Sequence, residues 1–340
     1  MTTKKVLRIG VIGVGRIGKI HAESIATRTP GANLAAIADV NLEVAQETAV
    51  KFNVPIVTDD YQDILNDAAI DAIVICSSTE THAQIVLEAA EANKHIFCEK
   101  PIDHSLEKID AALAAVEKAG VKLRIGFNRR FDANFRKVRQ MVAEGKIGEP
   151  HILRITSRDP GPPPIEYIKL SGGMFLDMTI HDFDMARYLL ASEVEEVYTA
   201  AGVMVDPAIG VAGDVDTAVI TLKFANGAIG TIDNSRKAAY GYDQRAEILG
   251  SEGMVSITNN TPNTHIYSTV DGVHMEKPLH FFLERYMDSF VAEMQEFVQA
   301  ILQDETPPVV GEDGRIPVVM GMAAQKSYLE NRPVKLSEIT

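Results

Sequence analysis

Between residues 6 and 127 the chain repeats one pattern of hydrophobic and polar positions. Short apolar runs at 7–12, 33–38, 56–58, 72–76, 95–98 and 123–127 have strand length. Between them, at 20–26, 43–52, 61–65, 79–92 and 106–119, apolar residues recur at helical spacing, with stops at Pro55 and Gly120. Continuous apolar runs suit strands buried on both faces, and strict strand–helix alternation predicts a doubly wound parallel sheet. Ligands of such sheets bind beyond the carboxyl ends of the strands. Those ends are Gly13 to Gly18, Asp39, Ser77-Ser78-Thr79, Glu99-Lys100-Pro101 and Asn128-Arg129-Arg130.

The pattern changes after Phe127. A helix is predicted over 135–145, and then β-type alternation dominates at 152–157, 194–205, 217–224, 228–235, 247–249, 254–257 and around Asp271-Gly272. Asn226-Gly227 between two of these runs predicts a type I′ hairpin. Leu283, Tyr286, Met287, Phe290, Met294, Phe297 and Ile301 mark a long amphipathic helix, followed by a last one from about Ile316 to Glu330. The expected architecture is α/β: a parallel nucleotide-binding domain over 1–127, then an α+β domain over 128–340. The second carries a large, mostly antiparallel open sheet with helices on one side, and the last helix packs back on the first domain. A bare sheet face seeks a partner, so the open face is expected to be an oligomer interface. Gly161-Pro162-Pro163-Pro164 and Ser171-Gly172-Gly173 frame a loop suited to the rim of a pocket.

Composition narrows the function. Across 340 residues, 33 basic against 47 acidic side chains give a net charge of −14. That argues against nucleic-acid and anionic-membrane partners, which need clustered positive charge. The two cysteines, Cys76 and Cys98, lie in apolar runs and read as buried thiols of a reducing compartment. Met1 to Lys5 lead straight into the first strand without a signal-peptide pattern, and no run reaches membrane-spanning length. A cytoplasmic protein is expected.

Gly13-Val14-Gly15-Arg16-Ile17-Gly18, between a strand and a helix, is the dinucleotide (Rossmann) fingerprint. Its glycines permit the tight turn, the close approach of a pyrophosphate and close helix–strand packing, and the helix N-terminus attracts the phosphates. Asp39 follows the second strand, roughly 20 residues beyond Gly18, where an acidic side chain accepts from the adenosine ribose and repels a 2′-phosphate. With Val40 and Asn41 next and no arginine, the cofactor is expected to be NAD rather than NADP. The plainer alternative is an Asp that only caps the following helix.

Two places could supply proton chemistry. Glu99-Lys100-Pro101 puts a charged pair directly after a buried strand, where a partly desolvated lysine accepts or relays a proton; a surface ion pair is the alternative. Asp177 and His181, four apart, would share one face of a helix, the carboxylate orienting the imidazole for general acid/base work. A satisfied structural histidine is the alternative. No third ligand stands at metal-site spacing, His82, His95 and His104 being scattered, so no metal is expected. Asn128-Arg129-Arg130, at the last strand end, could hydrogen-bond a polyol or a carboxylate, the alternative being solvated arginines at a helix N-terminus. Arg158-Asp159-Pro160 and Tyr240-Gly241-Tyr242-Asp243, ending strands of the second domain, could line the same pocket, the alternative for the tyrosines being sheet packing.

Taken together, Gly13-x-Gly15-x-x-Gly18, Glu99-Lys100-Pro101, Gly126-Phe127-Asn128-Arg129-Arg130-Phe131-Asp132 and Asp177-x-x-x-His181 resemble the Gfo/Idh/MocA oxidoreductase family over nearly the whole chain. Ser157 to Pro164, Gly173 to Arg187 and Tyr240 to Gln244 are most similar to its inositol-oxidising members. The resemblance implies oxidation of myo-inositol to 2-keto-myo-inositol with NAD⁺. It implies Lys100, Asp177 and His181 as catalytic residues. Gly13, Gly15, Arg16, Ile17, Gly18, Asp39, Ser77, Ser78, Thr79, His82, Glu99 and Lys100 would hold the cofactor, and Asn128, Arg129, Asp159 and Tyr242 the substrate. It also implies a homotetramer. Some inositol-oxidising relatives have methionine at the Asn128 position or His-Arg-Asn-Pro in place of Ser157-Arg158-Asp159-Pro160, which leaves scyllo-inositol, D-chiro-inositol or an aldose as alternative substrates. A non-catalytic NAD-binding regulator is the alternative of another class, and it would need none of Lys100, Asp177 and His181.

Overall fold

A computed structural model describes residues 6–339, so Met1 to Lys5, the short lead into the first strand, lie outside the described residues. The chain divides into two compact units. One runs through Phe131 and takes in Asp288–Ile316; the other comprises Asp132–Met287 and the chain from Pro317 onward.

The first unit alternates β1 (Leu7–Ile12), α1 (Arg16–Arg28), β2 (Ala32–Ala38), α2 (Leu42–Phe52), β3 (Ile56–Thr58), α3 (Tyr61–Asn66), β4 (Ala72–Ile75), α4 (Thr79–Glu91), β5 (His95–Cys98), α5 (Leu106–Ala119) and β6 (Leu123–Ile125). All six strands are parallel, in the order β3-β2-β1-β4-β5-β6. β1 and β4, neighbours but far apart in sequence, mark the switch point where such sheets bind ligands. Register aligns the carboxyl ends of the strands along one edge. Ile12 is level with Ala38 and Ile75, Ile75 with Cys98, and Cys98 with Ile125. Gly13, Asp39, Cys76, Glu99 and Gly126 therefore leave the sheet side by side. The core beneath is aliphatic (Leu7, Ile9, Val11, Ile37, Val74), closed by Phe97 and by Met294, Phe297 and Val298 from the helical segment that returns to this unit.

The second unit contains α6 (Ala133–Ala143), β7 (Pro150–Arg158), α7 (Ile165–Leu170), α8 (Gly173–Asp177), α9 (Ile180–Leu190), β8 (Val194–Gly202), α10 (Pro207–Val211), β9 (Thr217–Phe224), β10 (Ile229–Ser235), β11 (Asp243–Gly250), β12 (Met254–Ile257), β13 (Ile266–Thr269) and β14 (Gly272–Met275). α11 (Phe282–Leu302) and α12 (Gly311–Glu330) each contribute to both units, and β15 (Val334–Lys335) follows. The large sheet runs β12-β11-β7-β10-β9-β8-β15, antiparallel except for β7 against β10. Strict alternation along β9, with Ala218, Ile220, Leu222 and Phe224 buried, puts one face in the core. The other face is exposed and mixed, with Val219 and Ile229 among Thr221, Lys223 and Thr231 rather than uniformly apolar.

Several local expectations are corrected. The β9–β10 turn is not type I′: Gly227 has φ +87° but Asn226 has no positive φ. The Gly227 N–H donates to Phe224 O at 2.9 Å, so a four-residue turn ends in a left-handed glycine, and the Asn226 side chain accepts from Ala228. The last helix starts at Gly311, well before Ile316, and carries Pro317 inside it. Tyr240 to Tyr242 lead into β11 rather than ending a strand; Asp243 pairs antiparallel with Arg158, which brings them to the edge where β7 ends.

Candidate functional site

At the end of β1 the glycines divide the labour. A Cβ on Gly13, at φ +85°, would lie 2.6 Å from Ser77 N. On Gly18 it would lie 1.9 Å from Gly13 O. On Gly15 it would meet nothing within 4 Å, so space for a ligand opens there. Gly15 is also the N-cap of α1, with no side chain to satisfy the first-turn N–H groups. Arg16 is exposed beside it and Ile17 half-buried. A backbone cradle at a helix N-terminus fits a dinucleotide pyrophosphate.

Asp39 is not the cap of α2. Asn41 caps that helix, accepting from Val44 N–H, while Asp39 accepts from Val14 N–H at 2.7 Å through Oδ2 and from Asn41 N–H at 2.9 Å through Oδ1. Its carboxylate thus braces the glycine turn and keeps lone pairs for a ribose hydroxyl. Beyond β4, Ser77 shares a 2.7 Å hydrogen bond with Thr81, and Ser78 and Thr79 open α4. His82 is buried, with Nδ1 2.8 Å from Pro101 O and Nε2 3.0 Å from Ser77 O. Burial lowers its pKa, and the ring ties the β4 and β5 ends together through backbone.

At the end of β5, Lys100 is half-buried and precedes Pro101 through a cis peptide bond. Glu99 turns inward: its Oε1 lies 2.7 Å from His21 Nε2. Asn128 and Arg129 are buried in a short 3₁₀ turn after β6, Asn128–Phe131, in which Arg130 pairs with Asp313 at 2.9 Å. Both cysteines are free, and burial pushes both thiols well up.

In the second unit Asp177 and His181 do not share one helix. Asp177 ends α8, and His181 lies in the first turn of α9. Met178 and Thr179 keep right-handed helical dihedrals, but Thr179 N–H reaches back to Met174 O and His181 N–H to Met178 O, so the ladder breaks between them. A buried polar network pins this break to β10. Thr179 donates to Asn234 Oδ1 at 2.6 Å, and the Asn234 amide donates to Asp182 at 2.9 Å and to Ser157 O at 3.2 Å. Asp177 accepts from Tyr167 OH at 2.9 Å and from Arg236 at 3.1 Å; Arg236, only 2% exposed, also stands 3.8 Å from Asp159. One buried guanidinium therefore collects two of the expected carboxylates. Tyr242 is buried edge-on against Phe281 and Tyr286. Next to it, burial works against the charge on Asp243, but hydrogen bonds from Arg245, Tyr240 and Asn259 together hold its pKa below the usual value.

Arg236, Asn234 and Tyr167 were not candidates from sequence. The available signal was Asn234-Ser235-Arg236 at the end of a strand, polar residues where β10 leaves the sheet.

A family described as oxidoreductases with an NAD-binding Rossmann fold matches residues 7–127, and the GFO/IDH/MocA C-terminal domain matches residues 135–256. A myo-inositol 2-dehydrogenase of Thermotoga maritima is 50% identical over 333 residues, covering 98% of this chain and 99% of the relative. An inositol 2-dehydrogenase of Rhizobium meliloti is 43% identical over 332 residues, covering 97% and 99%. Among solved structures, scyllo-inositol dehydrogenase of Lactobacillus casei, with bound NAD(H) and scyllo-inositol, aligns at TM-score 0.92 and 31% identity, covering 98% of this chain and 100% of that one.

Proposed function

The chain belongs to the GFO/IDH/MocA family of NAD-binding oxidoreductases, and from that premise we propose that it oxidises myo-inositol to 2-keto-myo-inositol. The observation that carries this reading is full-length likeness to inositol 2-dehydrogenases of two organisms. Bound NAD⁺ supplies the hydride acceptor. Gly13, Gly15, Arg16, Ile17 and Gly18 cradle its pyrophosphate, Asp39 accepts from its ribose, and Ser77, Ser78, Thr79, His82, Glu99 and Lys100 complete the cofactor side. His181 takes the hydroxyl proton as general base. Asp177, held by Tyr167 and Arg236, orients the reacting groups. Lys100 polarises the hydroxyl oxygen and assists proton transfer. Asn128, Arg129, Asp159 and Tyr242 bind the polyol. Residues 1–127 serve the cofactor and 128–340 the substrate and assembly. The same reading assigns a homotetramer joined through the exposed sheet face, and a cytoplasmic location without nucleic-acid or membrane partners; no helix among the described residues is long and apolar enough to cross a membrane. The scyllo-inositol-bound relative supports a second reading, with scyllo-inositol as the preferred stereoisomer.

The test is NADH absorbance from purified protein with NAD⁺ and a panel of myo-, scyllo- and D-chiro-inositol, glucose and xylose. Fastest turnover on myo-inositol is expected, and fastest turnover on scyllo-inositol would select the second reading. Lys100→Ala should lower kcat by about 10³-fold and weaken NAD binding far less, since the lysine acts chiefly in the transition state. NAD binding without NADH from any inositol would overturn the assignment.

A further inference from the structure

Glu293 occupies a core position of α11. The face that carries Phe290, Met294, Phe297 and Val298 is buried, and Glu293 sits in it with no exposure. Neither of its carboxyl oxygens has a hydrogen-bond partner among the described residues. Leucine there would bury without penalty, whereas an isolated buried carboxylate is costly enough that the group takes up a proton. Its surroundings say where that acid can act. His21 of α1, Glu99 at the end of β5 and Glu293 bring one ligand-type atom each to within 4.8 Å of one another. Glu99 already meets His21, and its carboxyl group lies over Gly126, where a Cβ would come within 3.0 Å. The aromatic wall is Phe97 and Phe290, edge-on to His21 at 4.9 and 5.8 Å. The charged or titratable groups facing Glu293 are Glu99, His21, Arg124 of β6 and the Cys76 thiol.

We propose that Glu293 is a positioning residue: as a buried carboxylic acid, with an oxygen within 4.8 Å of the Glu99 carboxylate that His21 already meets, it can donate its proton toward Glu99, and so restrains the β5 end from which Lys100 projects. This rests on the reading of Lys100 as catalytic, but not on the identity of the polyol. Burial, and then repulsion from Glu99, raise the Glu293 pKa well above 4.5, while Arg124 partly offsets them. A raised folded-state pKa stabilises the fold fully at low pH; that contribution is lost as pH rises from 4.5 towards the folded value.

The experiment compares full-length parent, Glu293→Gln and Glu293→Leu. It reads thermal stability against pH, borohydride-trapped pyridoxal phosphate labelling of Lys100 by mass spectrometry, and kcat and KM on the best panel substrate. Leu is expected to melt no lower than the parent, since a packed apolar residue replaces a buried acid. It should change the Lys100 labelling rate about 5-fold and lower kcat about 10-fold, with a smaller change in KM for NAD⁺. Gln, a neutral hydrogen-bonding isostere, should recover both to within about 3-fold and gain stability over the parent as pH rises. Parent-like labelling and kcat in the Leu variant would overturn the proposal. So would equal losses in Gln and Leu that follow a drop in melting temperature, or stoichiometric metal in the purified protein. If the parent oxidises no polyol, the functional reading falls, and Lys100 labelling still decides the role of Glu293.

Discussion

Replacing Asp39 tests cofactor choice, and the structure gives that test two separable parts. Its carboxylate accepts from Val14 N–H at 2.7 Å and Asn41 N–H at 2.9 Å, and Val14 is fully buried. Asp39→Ala leaves the Val14 N–H without its acceptor, at a cost of about 1–3 kcal/mol charged to the glycine turn and shared by any dinucleotide. It also removes charge-assisted bonds to the ribose, worth about 1.5–3 kcal/mol, which only NAD makes. NAD should therefore weaken by roughly 10²-fold or more, since each 1.4 kcal/mol is tenfold. NADP should weaken far less, because the lost brace is offset by lost repulsion of its 2′-phosphate. Asp39→Asn keeps one acceptor oxygen for the turn and loses the charge, so its NAD loss should be nearer 10-fold, with the NAD-to-NADP ratio still reduced. Titrating each variant against NADH and NADPH by the fluorescence of the reduced nicotinamide, with melting temperature as the control for the turn, measures both parts. Equal weakening of the two cofactors, with their ratio unchanged in both variants, would refute the ribose role and leave Asp39 as a brace alone.

Two further outcomes are expected. Gly18→Ala places a Cβ 1.9 Å from Gly13 O, backbone that cannot swing aside, so NAD binding measured by calorimetry should be lost while the second unit's ellipticity persists. Asp216 has no exposure and accepts from Met204, Val205 and Asp206 N–H at 2.8–3.0 Å and from Thr217; burial opposes its charge, but these bonds together lower its pKa from 3.8. A lowered pKa gives stability that is present above the unfolded value and lost as pH falls below it. Asp216→Asn should therefore cost about 1–3 kcal/mol in denaturant melts at pH 7, with the gap to the parent narrowing below pH 4.

The parallel sheet was legible because its signal is local. A strand buried on both faces must be apolar throughout, as 72–75 is, and the turn at Gly13 to Gly18 needs glycine where backbone meets backbone. In such a sheet the candidate residues at the strand carboxyl ends fall at one edge without knowledge of any contact; the order of the strands rests on pairings that no local signal reports. Helix ends were less legible. The spacing of Asp177 and His181 allows one helix, but Thr179 spends its hydroxyl on Asn234 and the ladder breaks there. Asn234 is 55 residues away in sequence, so nothing local to 177–181 announces the break.

The same reasoning explains why Arg236 escaped notice and Glu293 did not look unusual. An arginine after a strand is ordinarily solvated, and a glutamate in a long helix is ordinarily on its wet face. Each becomes informative only when the fold takes it out of water: Arg236 between Asp177 and Asp159, Glu293 behind Glu99 and His21. Burying such groups costs several kcal/mol unless other groups compensate, so packing alone does not account for them. The residues that carry the expected chemistry sit at strand ends and helix breaks, where sequence spacing finds them. The residues that aim them sit one layer deeper and come from other elements. For Arg236 the partners are fixed by the β7–β10 register, with Ser235 level with Arg158, which sets the start of both strand-end loops. A one-residue slip in that pairing would turn Arg236 to the opposite face, away from both carboxylates, and would turn Asn234 away from Thr179 and Asp182 with it.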